Sequence, residues 1–163
     1  RSIRNRDDIQ FVIVGGGREL EELKKLAVAL ELDDVVTFTG RVDDDTLFTI
    51  LSTADVCVNP DRPSSMNDKS TMHKIMEYMT LGKPIVQFDL TEGRFSAGEA
   101  SLYVQNADTA EFGDKILELL EDPARREAMG AFGQSRINGE LAWHHASTKL
   151  LAAYEKVFKL RGK

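Results

Sequence analysis

The chain has 163 residues, 42% of them apolar and 29% charged, with a net charge of −6. This is the size and composition of one globular domain able to bury its own core, not of a disordered chain. The acidic balance argues against a nucleic-acid partner. No apolar run is long enough for a transmembrane helix, and no signal-peptide pattern is read in the first residues.

In chain order, the polar "RSIRNRDD" precedes "IQFVIVGGG", which reads as a buried strand running into a glycine turn. The short lead before a first core strand suggests a domain excised from a longer protein. "RELEELKKLAVAL" sets Leu20, Leu23, Ala27 and Leu30 on one helical face. "VVTFTG" is a short strand, and "DDDTLFTILSTA" a helix whose first-turn acids suit the helix dipole. The run Asp43–Asp45 is therefore a solvated cap in preference to a cation site. "DVCVNP" is a buried strand closed by proline, and its Cys57, the one cysteine, reads as a buried thiol in a reducing compartment.

The polar stretch "NPDRPSSMNDKST" follows, and Ser70 or Thr71 can cap a helix running to about Leu81, stopped by Gly82. "KPIVQF" is the next strand and "ASLYV" a weaker one. "TAEFGDKILELLED" and "PARREAMGAFGQSRI" are consecutive helices, the first capped by Asp108 and the second opened by proline. A final helix over 142–160 carries an apolar stripe of Leu150, Leu151, Tyr154 and Phe158. Short strands alternating with helices imply an α/β fold with a mostly parallel sheet covered on both faces.

Ligands of such sheets sit at the carboxyl ends of the strands. That selects four loops: Gly15–Gly17, Gly40–Asp43, Asn59–Thr71 and Phe88–Glu99. "VGGGREL" fails the dinucleotide pattern because Leu20 stands where its last glycine belongs, and the chain has no P-loop pattern. The glycines suit an anion near the following helix start or simply a tight turn, and the motif by itself does not choose. The long loop brings Lys69 and the amides of Ser70, Thr71, Met72 and His73 to a helix start, a combination suited to a pyrophosphate. Glu77, two turns on, can accept hydrogen bonds from a pair of vicinal hydroxyls; taken alone, it reads better as a buried acid bonded to backbone. The histidines at 144 and 145 point to different faces and make a poor metal pair. Met66, Met72, Met76 and Met79 read as packing around the helix.

The order of "FVIVGGG", "VVTFTGRV", "ADVCVNP", "MEYMTLGKPIV", "LLEDPARREAMGAFGQSRI" and a tryptophan-led last helix resembles a known family. It is similar to the C-terminal, nucleotide-sugar-binding domain of retaining glycosyltransferases of GT-B fold, of the family 4-like, group 1 type. The likeness covers essentially the whole chain, through six individually weak motifs in the right order. It implies a three-layer α/β/α Rossmann-like domain over 1–163, the C-terminal half of a two-domain enzyme, whose last helix packs back towards the other domain. The family's E-x7-E pattern places Glu77 at the acid that holds the ribose hydroxyls. Its first acid falls at residue 69, where Lys69 stands, with Asp68 one residue off register and Asn67 next. Asp68 and Lys69 are therefore the candidate catalytic positions, and Ser70 and Thr71 replace the usual glycine and aromatic residue.

The same resemblance implies that Gly15, Gly16 and Gly17 lie near the interdomain cleft and that Arg41 and Val42 line the nucleobase pocket. "DLTEGRFSAGEA" stands for the family's glycine-glycine-x-x-E stretch, making Glu99 the acid near the sugar and Arg94 a phosphate contact. The donor is expected to be a nucleotide-diphosphate sugar, with no cofactor and no metal, the leaving diphosphate being stabilised by cations and helix amides. The expected partner is a missing N-terminal acceptor-binding domain, and the expected location is cytoplasmic, with that domain able to bring the enzyme to the inner membrane face. The family also uses an arginine and a lysine just before the first strand, for which the arginines at 1, 4 and 6 are a poor substitute, so the fragment alone is expected to be inactive. The rival is a degenerate module that holds a nucleotide or a protein partner without catalysis, favoured by Lys69; an epimerase of the same architecture would need further carboxylates in the cleft. An ion pair between Lys69 and Glu77 would favour the module, and Asp68 and Glu99 converging on the sugar would favour the enzyme.

Overall fold

The structure is a computed structural model that describes residues 6 and 8–161. The arginines at 1 and 4 and residues 162–163 lie outside the described residues. The five expected strands form: β1 (Phe11–Val14), β2 (Val36–Gly40), β3 (Cys57–Asn59), β4 (Ile85–Phe88) and β5 (Ser101–Val104). All pairing between strands is parallel, β1 with β2 in one sheet and β3-β4-β5 in a second.

The helices are α1 (Leu20–Ala29), α2 (Asp44–Thr53), α3 (His73–Thr80), α4 (Thr91–Ala97), α5 (Thr109–Leu120), α6 (Pro123–Arg136) and α7 (Trp143–Arg161). Aspartate caps begin three of them. Asp43 accepts from the Thr46 amide, Asp108 from those of Ala110 and Glu111, and Asp122 from that of Arg125, satisfying amides that a helix start leaves over. The Phe88–Glu99 segment, expected as a loop, is mostly the helix α4, followed by a 3-10 turn over Gly98–Ala100.

The period of two along β4 divides the core. Val86 and Phe88 face α5, packing with Val104, Phe112, Ile116, Leu119 and Met129, the Phe88 and Phe112 rings 4.9 Å apart. Ile85 faces the other way, against Ile75 and Met79 of α3 and Ala97 of α4. Three layers follow directly around β3-β4-β5.

Around β1 the layering is thinner than the sequence suggests. Val12 and Ile13 are 46% and 40% exposed, and of the α1 face only Ala27 is buried, Leu23 and Leu30 remaining open. The stripe of α7 is likewise exposed at Leu150, Leu151, Tyr154 and Phe158. Apolar periodicity reports which face a helix would bury, and here the described residues supply no layer to bury it against. Met66 is also exposed, whereas Met79 is fully buried and Met72 packs against the same cluster.

Cys57 is buried, and burial pushes its thiol up to about 12. The folded chain is therefore expected to leave Cys57 unmodified by a thiol reagent at pH 8, reacting only on denaturation, a difference that a timed thiol titration reads directly.

Candidate functional site

The four candidate segments begin at the carboxyl ends of their strands, two in each sheet, and are joined in two pairs. In the first pair the Gly15 amide donates to the Gly40 carbonyl at 2.8 Å, and Gly15 adopts a φ of +127° that a side chain would strain. The Arg41 side chain crosses over Gly16, its Cγ 3.6 Å from where a Cβ would stand. Gly17 faces open space, and Val42 is half-buried beside the exposed Arg41. Gly15, Gly16, Gly17, Arg41 and Val42 are thus one neighbourhood.

In the second pair the long loop is fastened to α4. Asp68, in a 3-10 turn over Asn67–Lys69, accepts from the Thr91 amide at 2.8 Å and from its hydroxyl at 3.1 Å. Thr71 donates to Glu92 at 3.0 Å. Thr91 and Glu92 were absent from the sequence reading; their signal is a hydroxyl residue and an acid in the first turn of a helix pattern. No hydrogen bond or ion pair among the described residues joins the first pair of loops to the second.

These bonds revise the expected helix start. Ser70 does not cap α3: its hydroxyl donates to the Met66 carbonyl and its amide to that of Asn67. Thr71 is turned to Glu92, and Met72 sits at the cap position with no side-chain bond. Among the described residues the amides left over are therefore those of Thr71, Met72, His73 and Lys74, since the Ser70 amide bonds the Asn67 carbonyl and the Ile75 amide the Met72 carbonyl. The Met72 side chain packs inward, His73 is exposed, and Lys74 pairs with Asp61 at 2.6 Å. One turn after His73 on the same face stands Glu77, half-buried and with no side-chain hydrogen bond or ion pair among the described residues.

Two expected contacts are placed otherwise. Arg94 is held by Asp89, Nε and Nη2 each 2.7 Å from a carboxylate oxygen, and lies 4.0 Å over the Tyr103 ring, so its planar fork is engaged within the protein. Glu99 is exposed in the turn before Ser101, which pairs with Ile85 at the amino end of β4. It therefore lies at the opposite edge of the sheet from Asp68, and the two acids do not converge. The sequence pattern reads Phe88–Glu99 as a loop; the α4 helix carries Glu99 back across the sheet. Lys69 is exposed and forms no ion pair with Glu77.

The Thr91 hydrogen bonds, above all the backbone one, hold the Asp68 carboxyl below its ordinary value. The unfolded carboxyl titrates near ~3.9. Because the folded value is lower, the stabilisation is complete above the unfolded value and is lost as pH falls through the folded one. The Thr91 amide resonance is expected to stay fixed from neutral pH to about pH 4 and to move only in more acid solution. In Asp68→Asn that acid-dependent movement should disappear.

Charge at this edge is unevenly satisfied. Arg18, Arg41, Arg62 and Lys69 are exposed and form no ion pair or side-chain hydrogen bond with the described residues. Outside α7, every other described lysine or arginine side chain is engaged, as in Lys24–Glu21, Lys115–Glu118 and Arg126–Asp55, with Lys83 donating to the Ser52 carbonyl. Meanwhile Asp43, Asp61, Asp68, Asp89 and Glu92 are all occupied within the protein. The edge is left with open cations and open amides, which is chemistry suited to an oligophosphate. No group of three or more His, Cys, Asp or Glu among the described residues could hold a metal ion.

Comparison with known proteins identifies the family and the fold. Residues 1–122 match the family model of glycosyl transferases group 1. A GDP-mannose-dependent alpha-(1-6)-phosphatidylinositol monomannoside mannosyltransferase of Mycobacterium tuberculosis is 33% identical over 154 residues, covering 91% of this chain and 40% of the relative. A GDP-mannose-dependent monoacylated alpha-(1-6)-phosphatidylinositol monomannoside mannosyltransferase of Corynebacterium glutamicum is 28% identical, covering 91% and 39%. Among solved structures, sucrose-phosphate synthase from Thermosynechococcus elongatus superimposes with a TM-score of 0.79 at 26% identity, over 93% of this chain and 39% of that one. The chain thus spans about two-fifths of the length of the curated relatives it matches. No described helix is long and apolar enough to cross a membrane.

Proposed function

The chain belongs to the glycosyl transferases group 1 family, and on that premise we propose that it is the donor domain of a GT-B glycosyltransferase, binding a nucleotide-diphosphate sugar at the carboxyl edge described above. The observation that carries this reading is the division of charge: the carboxylates of the edge are mostly satisfied internally, while Arg18, Arg41, Arg62 and Lys69 are open. The amides of Met72, His73 and Lys74 meet the diphosphate, and Glu77 takes the ribose hydroxyls. Gly15–Gly17 and Arg41–Val42 accommodate the rest of the nucleotide. In the intact protein an N-terminal domain carries the acceptor, and transfer retains configuration through an oxocarbenium-like transition state. Charge growing on the departing diphosphate is stabilised by Lys69 and the α3 amides, with no metal or other cofactor. The intact enzyme is cytoplasmic, brought to the inner membrane face by its acceptor domain.

A second reading is a module that holds the nucleotide without transfer. It is favoured by one contact: Asp68, the acid nearest the family's first glutamate position, is engaged by Thr91. Neither decisive arrangement is formed, since Lys69 does not pair with Glu77 and Asp68 does not converge with Glu99.

The test is an NMR amide titration of the chain with GDP, UDP and ADP at millimolar concentration, GDP first because two relatives are GDP-mannose-dependent by name. Shifts confined to Gly15–Gly17, Arg41–Val42 and Met72–Glu77 are expected. Silence from this chain and from the two-domain protein alike would overturn the reading. Shifts together with transfer of sugar by the two-domain protein would set aside the non-catalytic module.

A further inference from the structure

We propose that Gln87 is a positioning residue for the nucleotide-facing loop, acting through α4; the proposal rests on the donor-site reading. Gln87 is fully buried in the central strand β4, on the side facing α3 and α4, where an apolar residue would ordinarily stand. Its carboxamide joins three elements. It donates to the Gly93 carbonyl of α4 at 3.4 Å and to the Ser101 hydroxyl of β5 at 3.1 Å, and accepts from the Asn59 amide of β3 at 3.4 Å. Asn59, 1% exposed, keeps its Oδ1 without a hydrogen-bond partner among the described residues, so this polar cluster is not arranged for stability alone.

The contact with α4 is close enough to dictate a residue. A Cβ at Gly93 would stand 2.6 Å from the Gln87 Oε1, so a larger residue there would displace either the amide or α4. Two residues earlier Thr91 binds Asp68, and Glu92 binds Thr71. A continuous line of contacts therefore runs from β4 through Gln87 to α4, from α4 to the loop, and from the loop to Lys69 and the open amides at the start of α3. Loops of this length do not hold ligand-facing groups to a fraction of an ångström unaided, and small misplacements at a reacting centre are expensive. Gln87 supplies the fixed point.

The experiment compares the unsubstituted chain with Gln87→Met, Asp68→Asn and the double variant, by amide hydrogen exchange and by binding of inorganic pyrophosphate. In Gln87→Met the Thr91 amide, whose partner is Asp68, is expected to exchange tenfold faster or more, while Val86 and Val104 keep their protection. Pyrophosphate binding should weaken several-fold, and the double variant should bind no more weakly than Asp68→Asn alone. Unchanged exchange at Thr91, equal acceleration at Val86 and Thr91, or additive losses of binding would each overturn the proposal. Should Gln87→Met fail to fold, Gly93→Ala carries the same expectations, because it lifts α4 from the same amide. Failure of pyrophosphate to bind both the unsubstituted chain and the two-domain protein would overturn the donor-site reading itself, whereas the exchange data separately decide whether Gln87 holds Thr91.

Discussion

Gly130→Ala is expected to destabilise the chain by about 2–3 kcal/mol, the upper part of the range for overpacking a rigid core. The residue is buried in the middle of α6, where a glycine ordinarily weakens a helix by ~0.5–1 kcal/mol relative to alanine. That intrinsic gain would be outweighed. The new Cβ would lie 2.1 Å from the carbonyl oxygen of Gly82 and 2.8 Å from its carbonyl carbon. Both are backbone atoms, and neither can swing aside as the tip of a long side chain would. Gly82 is itself constrained, with a φ of +67° in the turn that ends α3, and the Gln134 side chain lies 3.0 Å from where its own Cβ would be. Relief must come from moving α6 away from α3 and opening the cluster of Ile75, Met79 and Ala100. At ~2–4 °C per kcal/mol for a protein of this size, the melting temperature should fall by roughly 5–10 °C. Gly139→Ala, which meets nothing within 4 Å, should change it little. Calorimetry or thermal circular dichroism of the two variants checks the contrast; equal melting temperatures would mean that the crossing of α3 and α6 is looser than the structure places it.

Glu77→Ala should cost nucleotide binding at least tenfold while leaving the fold intact. Hydrogen bonds to a charged group contribute about 1.5–3 kcal/mol each when one partner is removed, and a carboxylate meeting two ribose hydroxyls engages both of its oxygens. The folded chain gives Glu77 no hydrogen bond or ion pair to lose, so stability should be nearly unchanged. The decisive control is inorganic pyrophosphate, which has no ribose. Its affinity should be the same in Glu77→Ala as in the unsubstituted chain, because the α3 amides and Lys69 are untouched. Equal weakening of nucleotide and pyrophosphate would place Glu77 at the phosphates and overturn its assignment to the sugar of the nucleotide.

Much of this architecture was legible before any tertiary contact. Five apolar runs closed by glycine, proline or a polar residue marked all five strands, and the aspartates at 43 and 108 marked helix starts that formed as caps. These signals are local: hydrophobic period, turn residues and capping groups act within a few positions of one another. The neighbourhood of Gly15–Gly17 with Arg41 was equally accessible, because a parallel sheet brings the ends of adjacent strands together.

What the local pattern could not decide was the partner of each side chain. The segment after Phe88 carries too little apolar periodicity to declare a seven-residue helix, yet α4 forms because Ala97 packs on the α3 side of the core and Gly93 rests on Gln87. That one helix reassigns three residues: Asp68 to Thr91, Thr71 to Glu92, and Glu99 to the far edge of the sheet. Arg94 is exposed and cationic in the sequence, but in the fold it is already held by Asp89. The apolar stripes of α1 and α7 were read correctly as stripes, while their burial depended on a covering layer that periodicity does not specify. The sequence alone therefore determined the order of the strands, their parallel pairing and the strand ends at which a ligand is proposed to bind. Only the tertiary structure decided which acids and cations remain open there, because charge satisfaction depends on contacts between residues far apart in the chain.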